Sequence, residues 1–220
     1  MKVVLGGTFD PVHNGHIHLA RELVDKLNLH KVYLMPCFKA VHKSSVEVCA
    51  AQRLDMLRLA IKNYPCLALD DREIKQDRPS YTYTSLASIR AEEGEEPVSF
   101  VMGIDSLLGF ADWFKAKEIH SLANLIIIER PINSFNITTE QLKQQRFESI
   151  RNLESLGFSL LQEGEELTRY RSGKVLMMKL SLYDISSTDI RKKIKQSDKI
   201  THLVGAEVAD YIQRHQLYKI

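Results

Sequence analysis

The stretch from Val3 to Val24 leaves this chain few options. Val3-Val4-Leu5 is an apolar run too short for a helix, and it meets the pair Gly6-Gly7. A polar turn, Thr8-Phe9-Asp10-Pro11-Val12-His13-Asn14-Gly15-His16, then leads into Ile17-His18-Leu19-Ala20-Arg21-Glu22-Leu23-Val24, where apolar residues return at helical spacing. Strand, glycine loop and helix in this order open a βα unit whose loop and helix N-terminus form a ready anion site. Gly6 and Gly7 present no Cβ to hold a ligand off the backbone. His13 and His16 fall at the loop-to-helix junction, about one helical turn apart. The spacing His-x-Gly-His therefore offers two imidazoles and several N–H groups to one bound anion. His18 extends the histidines to three, but only His13 and His16 converge. No Cys, Asp or Glu stands beside them at zinc-ligand spacing, so no metal-ligand residue is assigned.

Further along, Lys31–Pro36 reads as a second buried strand, so strand, helix and strand predict a right-handed parallel crossover. Ser44 and Glu47 have the spacing of a capping box, which predicts a helix from there to about Asn63. Leu67–Leu69 is a short strand candidate, a helix is expected near Thr84–Glu92, and Val98–Gly103 and Asn124–Glu129 read as strands. Gly103 and Asp105 repeat the arrangement of the first loop: a strand end, a glycine, then a polar group. Thr138–Leu156 is an amphipathic, charged helix with a second candidate capping box at Thr138 and Gln141. Two β-like runs, Phe158–Leu161 and Lys174–Leu182, follow. Ile185-Ser186-Ser187-Thr188-Asp189-Ile190-Arg191 opens a basic helix, and a last helix lies near Ala206–His215. The alternation predicts an α/β fold: a Rossmann-like open, mostly parallel sheet with helices on both faces and a small C-terminal helical portion, about 185–220, within one domain spanning 1–220. Residues from about 132 to 173 fit that alternation least well.

The eleven residues Gly-Gly-Thr-Phe-Asp-Pro-Val-His-Asn-Gly-His at positions 6–16 resemble the signature of the nucleotidyltransferases that share the His-x-Gly-His motif, the bacterial nicotinate-nucleotide adenylyltransferases above all. Ile185–Arg191 is similar to that family's C-terminal Ile-Ser-Ser-Thr-x-Ile-Arg motif, and the likeness touches residues from 6 to 191 with gaps in the middle. The resemblance implies adenylyl transfer from ATP to nicotinate mononucleotide, giving deamido-NAD and pyrophosphate in NAD biosynthesis. It implies His13 and His16 as the catalytic pair on the ATP phosphates. ATP would be met by Gly6, Gly7, Thr8, Phe9, His42, Lys43, Gly103, Asp105, Ser187, Thr188 and Arg191, with Asp105 on the ribose. The mononucleotide would meet Ser80, Tyr81, Thr82 and Trp113, the Trp lying flat against the pyridine ring. Relatives often carry two prolines before the histidine of the His42-Lys43 pair, whereas this chain has Ala40-Val41. Arg53 is a weaker match, with a surface position as its alternative, and Trp113 beside Phe110 and Phe114 has core filling as its alternative.

The residues suit that chemistry on their own terms. A phosphate oxygen attacking the α-phosphorus of ATP is already an anion near neutral pH, so neither a side-chain nucleophile nor a general base is required. The chain supplies donors and cations but no Ser-His-Asp arrangement and no Gly-x-x-x-x-Gly-Lys-Ser/Thr loop. Mg²⁺ is expected with the ATP phosphates, held largely by phosphate and water. At the hydroxyl-rich helix start, side-chain oxygens and N–H groups can take a phosphate that the planar fork of Arg191 also reaches. Rival readings are an adenylyltransferase acting on nicotinamide mononucleotide or phosphopantetheine, and a nucleotide sensor that binds without turnover.

With 220 residues, 30 basic against 28 acidic, the chain is long enough for one substantial core and nearly neutral, which argues against nucleic acid or an anionic membrane as partner. Cys37, Cys49 and Cys66 match no zinc or redox spacing and suggest reduced thiols in a cytoplasmic protein. No signal peptide and no membrane-length apolar run is expected. A homo-oligomer is left open.

Overall fold

A computed structural model describes residues 1–39, 47–76, 79–129, 139–181 and 183–219. The strands are β1 Lys2–Gly7, β2 Val32–Pro36, β3 Leu67–Leu69, β4 Val98–Gly103, β5 Asn124–Glu129, β6 Ser159–Leu160 and β7 Lys174–Lys179. The helices are α1 Asn14–Lys26, α2 Ala50–Ile61, α3 Arg72–Lys75, α4 Thr82–Glu93, α5 Ile104–Leu107, α6 Ala116–Ile119, α7 Thr139–Ser155, α8 Ser187–Lys195, α9 Thr201–Val204 and α10 Ala206–Arg214. The strands follow the hydrogen-bonded order β3-β2-β1-β4-β5-β7-β6. Every register described is parallel: β2 with β3, β4 with β5, β5 with β7 and β6 with β7. The fold is the open α/β sheet that the alternation predicts. In open parallel α/β sheets ligands gather outside the carboxyl ends of the strands. The carboxyl end of β1 is where Gly6 and Gly7 lead into the histidine loop.

Contacts divide the chain into two compact units. One comprises Met1–Val4 and Tyr81–Leu180. Its core is the parallel set β4-β5-β7-β6, where Val98, Val101, Leu125, Ile126 and Ile127 are wholly buried. Parallel strands covered on both faces read as continuous apolar runs, which is why β4 and β5 were legible. Arg90, at the end of α4, is buried and donates to the carbonyls of Gly94, Glu96, Leu122 and Arg171 at 2.7 Å each. The region about 132–173 departs from simple alternation for a physical reason. β6 is only two residues long, and the crossover from it to β7 carries a single 3₁₀ turn, Leu167–Arg169, instead of an α-helix.

The other unit comprises Leu5–Ser80 and Ser181–Ile220. β2 and β3 stand in it with α1, α2, α8 and α10, and α10 is joined to α2 by the bond from the Tyr211 hydroxyl to Asp55 (3.2 Å) and by the Lys62–Glu207 pair (3.2 Å). The capping box expected at Ser44 and Glu47 does not open α2. The helix starts at Ala50 behind Cys49, and Glu47 is outside it, its N–H spent on Asp10. Ser44 lies outside the described residues, as does Thr138 of the second candidate box. The four-residue helices α3, α5, α6 and α9 were not foreseen. Cys37, Cys49 and Cys66 form no disulfide with one another. No helix among the described residues is long and apolar enough to cross a membrane.

Candidate active site

His13 is the N-cap of α1, in extended conformation (φ −146°, ψ 168°), and His16 is the third residue of the helix. That spacing brings the imidazoles together: their rings stack at 3.7 Å between centroids, 29° from coplanar. The His13 N–H donates to His16 Nδ1 at 3.2 Å. An accepting Nδ1 places the proton of the neutral His16 ring on Nε2, which makes that nitrogen a donor. Gly15 makes the stack sterically feasible, since a Cβ there would lie 3.0 Å from His13 Nδ1. The helix start adds N–H groups that lack an intrahelical acceptor and the positive end of a dipole. His18 is elsewhere, its Nε2 3.1 Å from Ser181 Oγ and 3.5 Å from Glu22, as the separation of the histidines implies.

The loop before His13 is held in an unusual form. Phe9 has a left-handed backbone (φ 50°), and its Asp10–Pro11 neighbour is a cis peptide. For a bulky side chain the left-handed region costs about 1–3 kcal/mol and persists only where surroundings enforce it. The ring of Phe9 is 2% exposed and meets His16 edge-on at 4.9 Å. It also fills the space over Gly7, where a Cβ would lie 2.9 Å from the ring. Phe9 stands in the loop named for ATP contact, and its ring faces inward, over Gly7 and against His16.

Three elements hold this loop. Arg53 on α2, for which a surface position had been an alternative, is fully buried. It donates to Thr8 O (2.6 Å), Cys37 O (2.7 Å), Phe38 O (2.8 Å) and Val48 O (3.3 Å). From α8, Ser187 donates to Pro11 O (2.9 Å), and Arg191 donates to Asp10 O (2.7 Å), to Glu47 (3.2 Å) and to Thr188 Oγ1 (3.4 Å). Ser186 caps α8: Asp189 N–H donates to its hydroxyl (3.1 Å), which donates to the Asp189 carboxylate (2.6 Å) and holds that carboxyl below its usual range. Beyond α10, the Tyr218 hydroxyl donates to Asp10 Oδ1 at 2.7 Å. So His13, His16, Gly6, Gly7, Thr8, Phe9, Ser187, Thr188 and Arg191 all belong to one unit. Sequence reading missed Tyr218 and Asp10, and underrated Arg53.

Ser80 is in the same unit, its hydroxyl accepting from the Phe38 N–H at 2.9 Å. His42 and Lys43 lie outside the described residues. Gly103, Asp105, Tyr81, Thr82 and Trp113 belong to the other unit. There Gly103 ends β4 as the N-cap of α5, Asp105 is in the first turn of α5, and Tyr81 precedes Thr82 at the start of α4. Trp113 is half-buried against Phe110 (5.2 Å) and Phe100 (6.4 Å). Phe114 is instead 48% exposed and packs on Tyr81 at 4.8 Å.

The sequence profile of the family described as Cytidylyltransferase-like matches residues 4–193. A curated relative from Vesicomyosocius okutanii, named a probable nicotinate-nucleotide adenylyltransferase, is 36% identical over 207 residues, covering 94% of this chain and 91% of its own. A protein of the same name from Klebsiella pneumoniae subsp. pneumoniae is 35% identical over 219 residues, covering 99% and 97%. In fold, the chain is similar to Plasmodium falciparum nicotinic acid mononucleotide adenylyltransferase complexed with NaAD, with a TM-score of 0.71, 20% identity, and coverage of 99% and 98%. The chain belongs to the cytidylyltransferase-like family and, within it, to the nicotinate-nucleotide adenylyltransferases.

Proposed function

We propose that the chain transfers the adenylyl group of ATP to nicotinate mononucleotide, giving deamido-NAD and pyrophosphate. The observation that carries the reading is the stacked pair His13/His16 at the start of α1, in the loop that Arg191 and Ser187 also grip. In the reaction an acceptor phosphate oxygen forms a bond to the α-phosphorus while the bond from that phosphorus to the bridging oxygen of the β-phosphate breaks, and pyrophosphate leaves with the electron pair. Negative charge grows on the phosphate oxygens. The Nε2–H of His16, the N–H groups of the first turn of α1 and the guanidinium of Arg191 are the donors assigned to it. The reading treats both units as parts of one functional domain, supported by a family match that runs from 4 to 193.

Mg²⁺ belongs to this reading as a companion of ATP, neutralising phosphate charge when bound. Among the described residues no group of three or more His, Cys, Asp or Glu could hold a metal ion. The donors at the loop, imidazoles and N–H groups, suit phosphate oxygens, so the ion fits as one held by phosphates and water. Gly103 and Asp105 are assigned to the adenosine and Ser80, Tyr81, Thr82 and Trp113 to the mononucleotide, with His42 and Lys43 on the polyphosphate.

Pyrophosphate release, measured with ATP and in turn nicotinate mononucleotide, nicotinamide mononucleotide and phosphopantetheine, tests the activity. A well-oriented hydrogen bond to a charged acceptor contributes roughly 1.5–3 kcal/mol, so one or two donors reading the carboxylate give about a ten- to several hundred-fold higher kcat/KM for the acid than for the amide. Thr82→Ala should narrow that gap. Equal use, or preference for the amide, would refute acid selectivity and leave adenylyl transfer standing; no release with any acceptor would favour the sensor.

A second expectation concerns Arg191. Arg191→Lys keeps the charge and loses the fork that spans Asp10 O and Thr188. We expect kcat/KM for ATP to fall about tenfold, with a melting temperature lower by no more than a few degrees, roughly 1 kcal/mol in a chain of this size. Unchanged turnover with a larger loss of stability would make Arg191 a structural residue only.

A further inference from the structure

We propose that Tyr218 is a positioning residue for the transfer reaction, holding the His13/His16 loop in its reactive form through the carboxylate of Asp10; the inference rests on the activity proposed above. After α10 the chain folds back through two left-handed residues, Gln216 (φ 51°) and Tyr218 (φ 63°), and the Leu217 N–H donates to Ile212 O at 3.0 Å. The turn buries Leu217 to 7% and Tyr218 to 5% exposure. It delivers the phenol to Asp10 Oδ1 at 2.7 Å, across 208 positions of sequence. Burial first, and the neighbouring Asp10 carboxylate second, push the Tyr218 phenol far above its usual range. It keeps its proton and acts as a permanent donor.

Asp10 is itself 4% exposed, so its carboxylate is spent on the protein and not offered to a ligand. Oδ1 takes the Tyr218 hydroxyl, Oδ2 takes the Glu47 N–H at 3.1 Å, and its backbone oxygen takes Arg191. The residue just before it is the left-handed Phe9, whose ring meets His16. On the far side of Phe9, Arg53 holds Thr8 O. Phe9 is thus pinned from both flanks, and its ring sets where the His16 imidazole lies. Without the phenol the Asp10 carboxylate keeps only the Glu47 N–H, with Arg191 on the backbone oxygen, and Oδ1 is left without its donor. Phe9 then relaxes toward the right-handed region, and its ring leaves the edge of His16. A structural role alone would lower stability and leave the turnover of folded enzyme intact.

The test is Tyr218→Phe, which removes one oxygen and keeps the ring. Pyrophosphate release from ATP and nicotinate mononucleotide is measured on the full chain and normalised to folded protein by circular dichroism. Misplacing a reacting group by a fraction of an ångström to an ångström is expected to lower kcat roughly ten- to a hundred-fold, with KM for ATP within about twofold of wild type. Asp10→Ala removes the acceptor, so it cuts the same link from the other side and should show the same split; should Tyr218→Phe not fold, it carries the test by itself. The double variant should lose no more than the worse single variant, because both act through one contact. Wild-type kcat in Tyr218→Phe, or in Asp10→Ala where that stands alone, overturns the proposal, as does a double variant whose loss is the product of the two single losses. A wild-type chain inactive with every acceptor would instead overturn the proposed activity.

Discussion

His16→Ala is expected to lower kcat by roughly two orders of magnitude or more, the scale of removing one preorganised donor from a developing anion. The geometry makes the loss specific to the transition state. The His13 N–H bonded to Nδ1 fixes the tautomer, and the His13 ring against one face and the Phe9 edge fix the orientation. Nothing needs to reorganise as charge builds on the phosphate oxygens. The proposed site gives ATP several other groups to hold its ground state, so its dissociation constant should change much less than kcat. Single-turnover rates of pyrophosphate formation, with ATP affinity from equilibrium titration, separate the two quantities. A variant with near-normal kcat would remove His16 from the chemistry; one that loses ATP affinity in proportion to rate would make it a binding group for substrate and transition state alike.

What the sequence revealed about this site, and what it hid, follows the range of the interactions involved. β2, β4 and β5 came within a residue of their bounds because buried parallel strands are uninterrupted apolar runs closed by Pro or Gly or charge. The histidine pair was legible because residues three apart at a helix start are neighbours whatever the tertiary context. The four-residue helices were invisible, since one turn shows no periodicity. The Ser44–Glu47 spacing misled because Glu47 is claimed by tertiary partners, Asp10 through its N–H and Arg191 through its carboxylate. The left-handed backbone of Phe9 has no marker in the sequence. Tyr218 reads as an ordinary aromatic after a helix, and only the fold joins it to Asp10.

Arg53→Met should cost about 3–5 kcal/mol, the range for breaking a buried charged network, and lower the melting temperature by about 10 °C. The expectation comes from the acceptor side. The guanidinium donates to four carbonyls, those of Thr8, Cys37, Phe38 and Val48, and three of these bonds are 2.8 Å or shorter. Each buried carbonyl deprived of its donor costs roughly 1–3 kcal/mol, and methionine fills much of the volume while supplying none. The charge itself is costly to bury, which is why the loss stays below the sum of four bonds. Arg53→Lys separates charge from geometry. An ammonium is a point donor and cannot span Thr8 on one side and Cys37 with Phe38 on the other, so it should recover only part of the stability. Because Thr8 O is one of the four acceptors, the loss reaches the histidine loop. At a temperature where Arg53→Met is still folded, its kcat should already be below wild type. Melting followed by circular dichroism, with kcat measured well below the transition, reads both effects. A melting temperature within about 2 °C of wild type, a change under 1 kcal/mol at this size, would mean that the carbonyls find other donors and that the guanidinium is not what holds the loop.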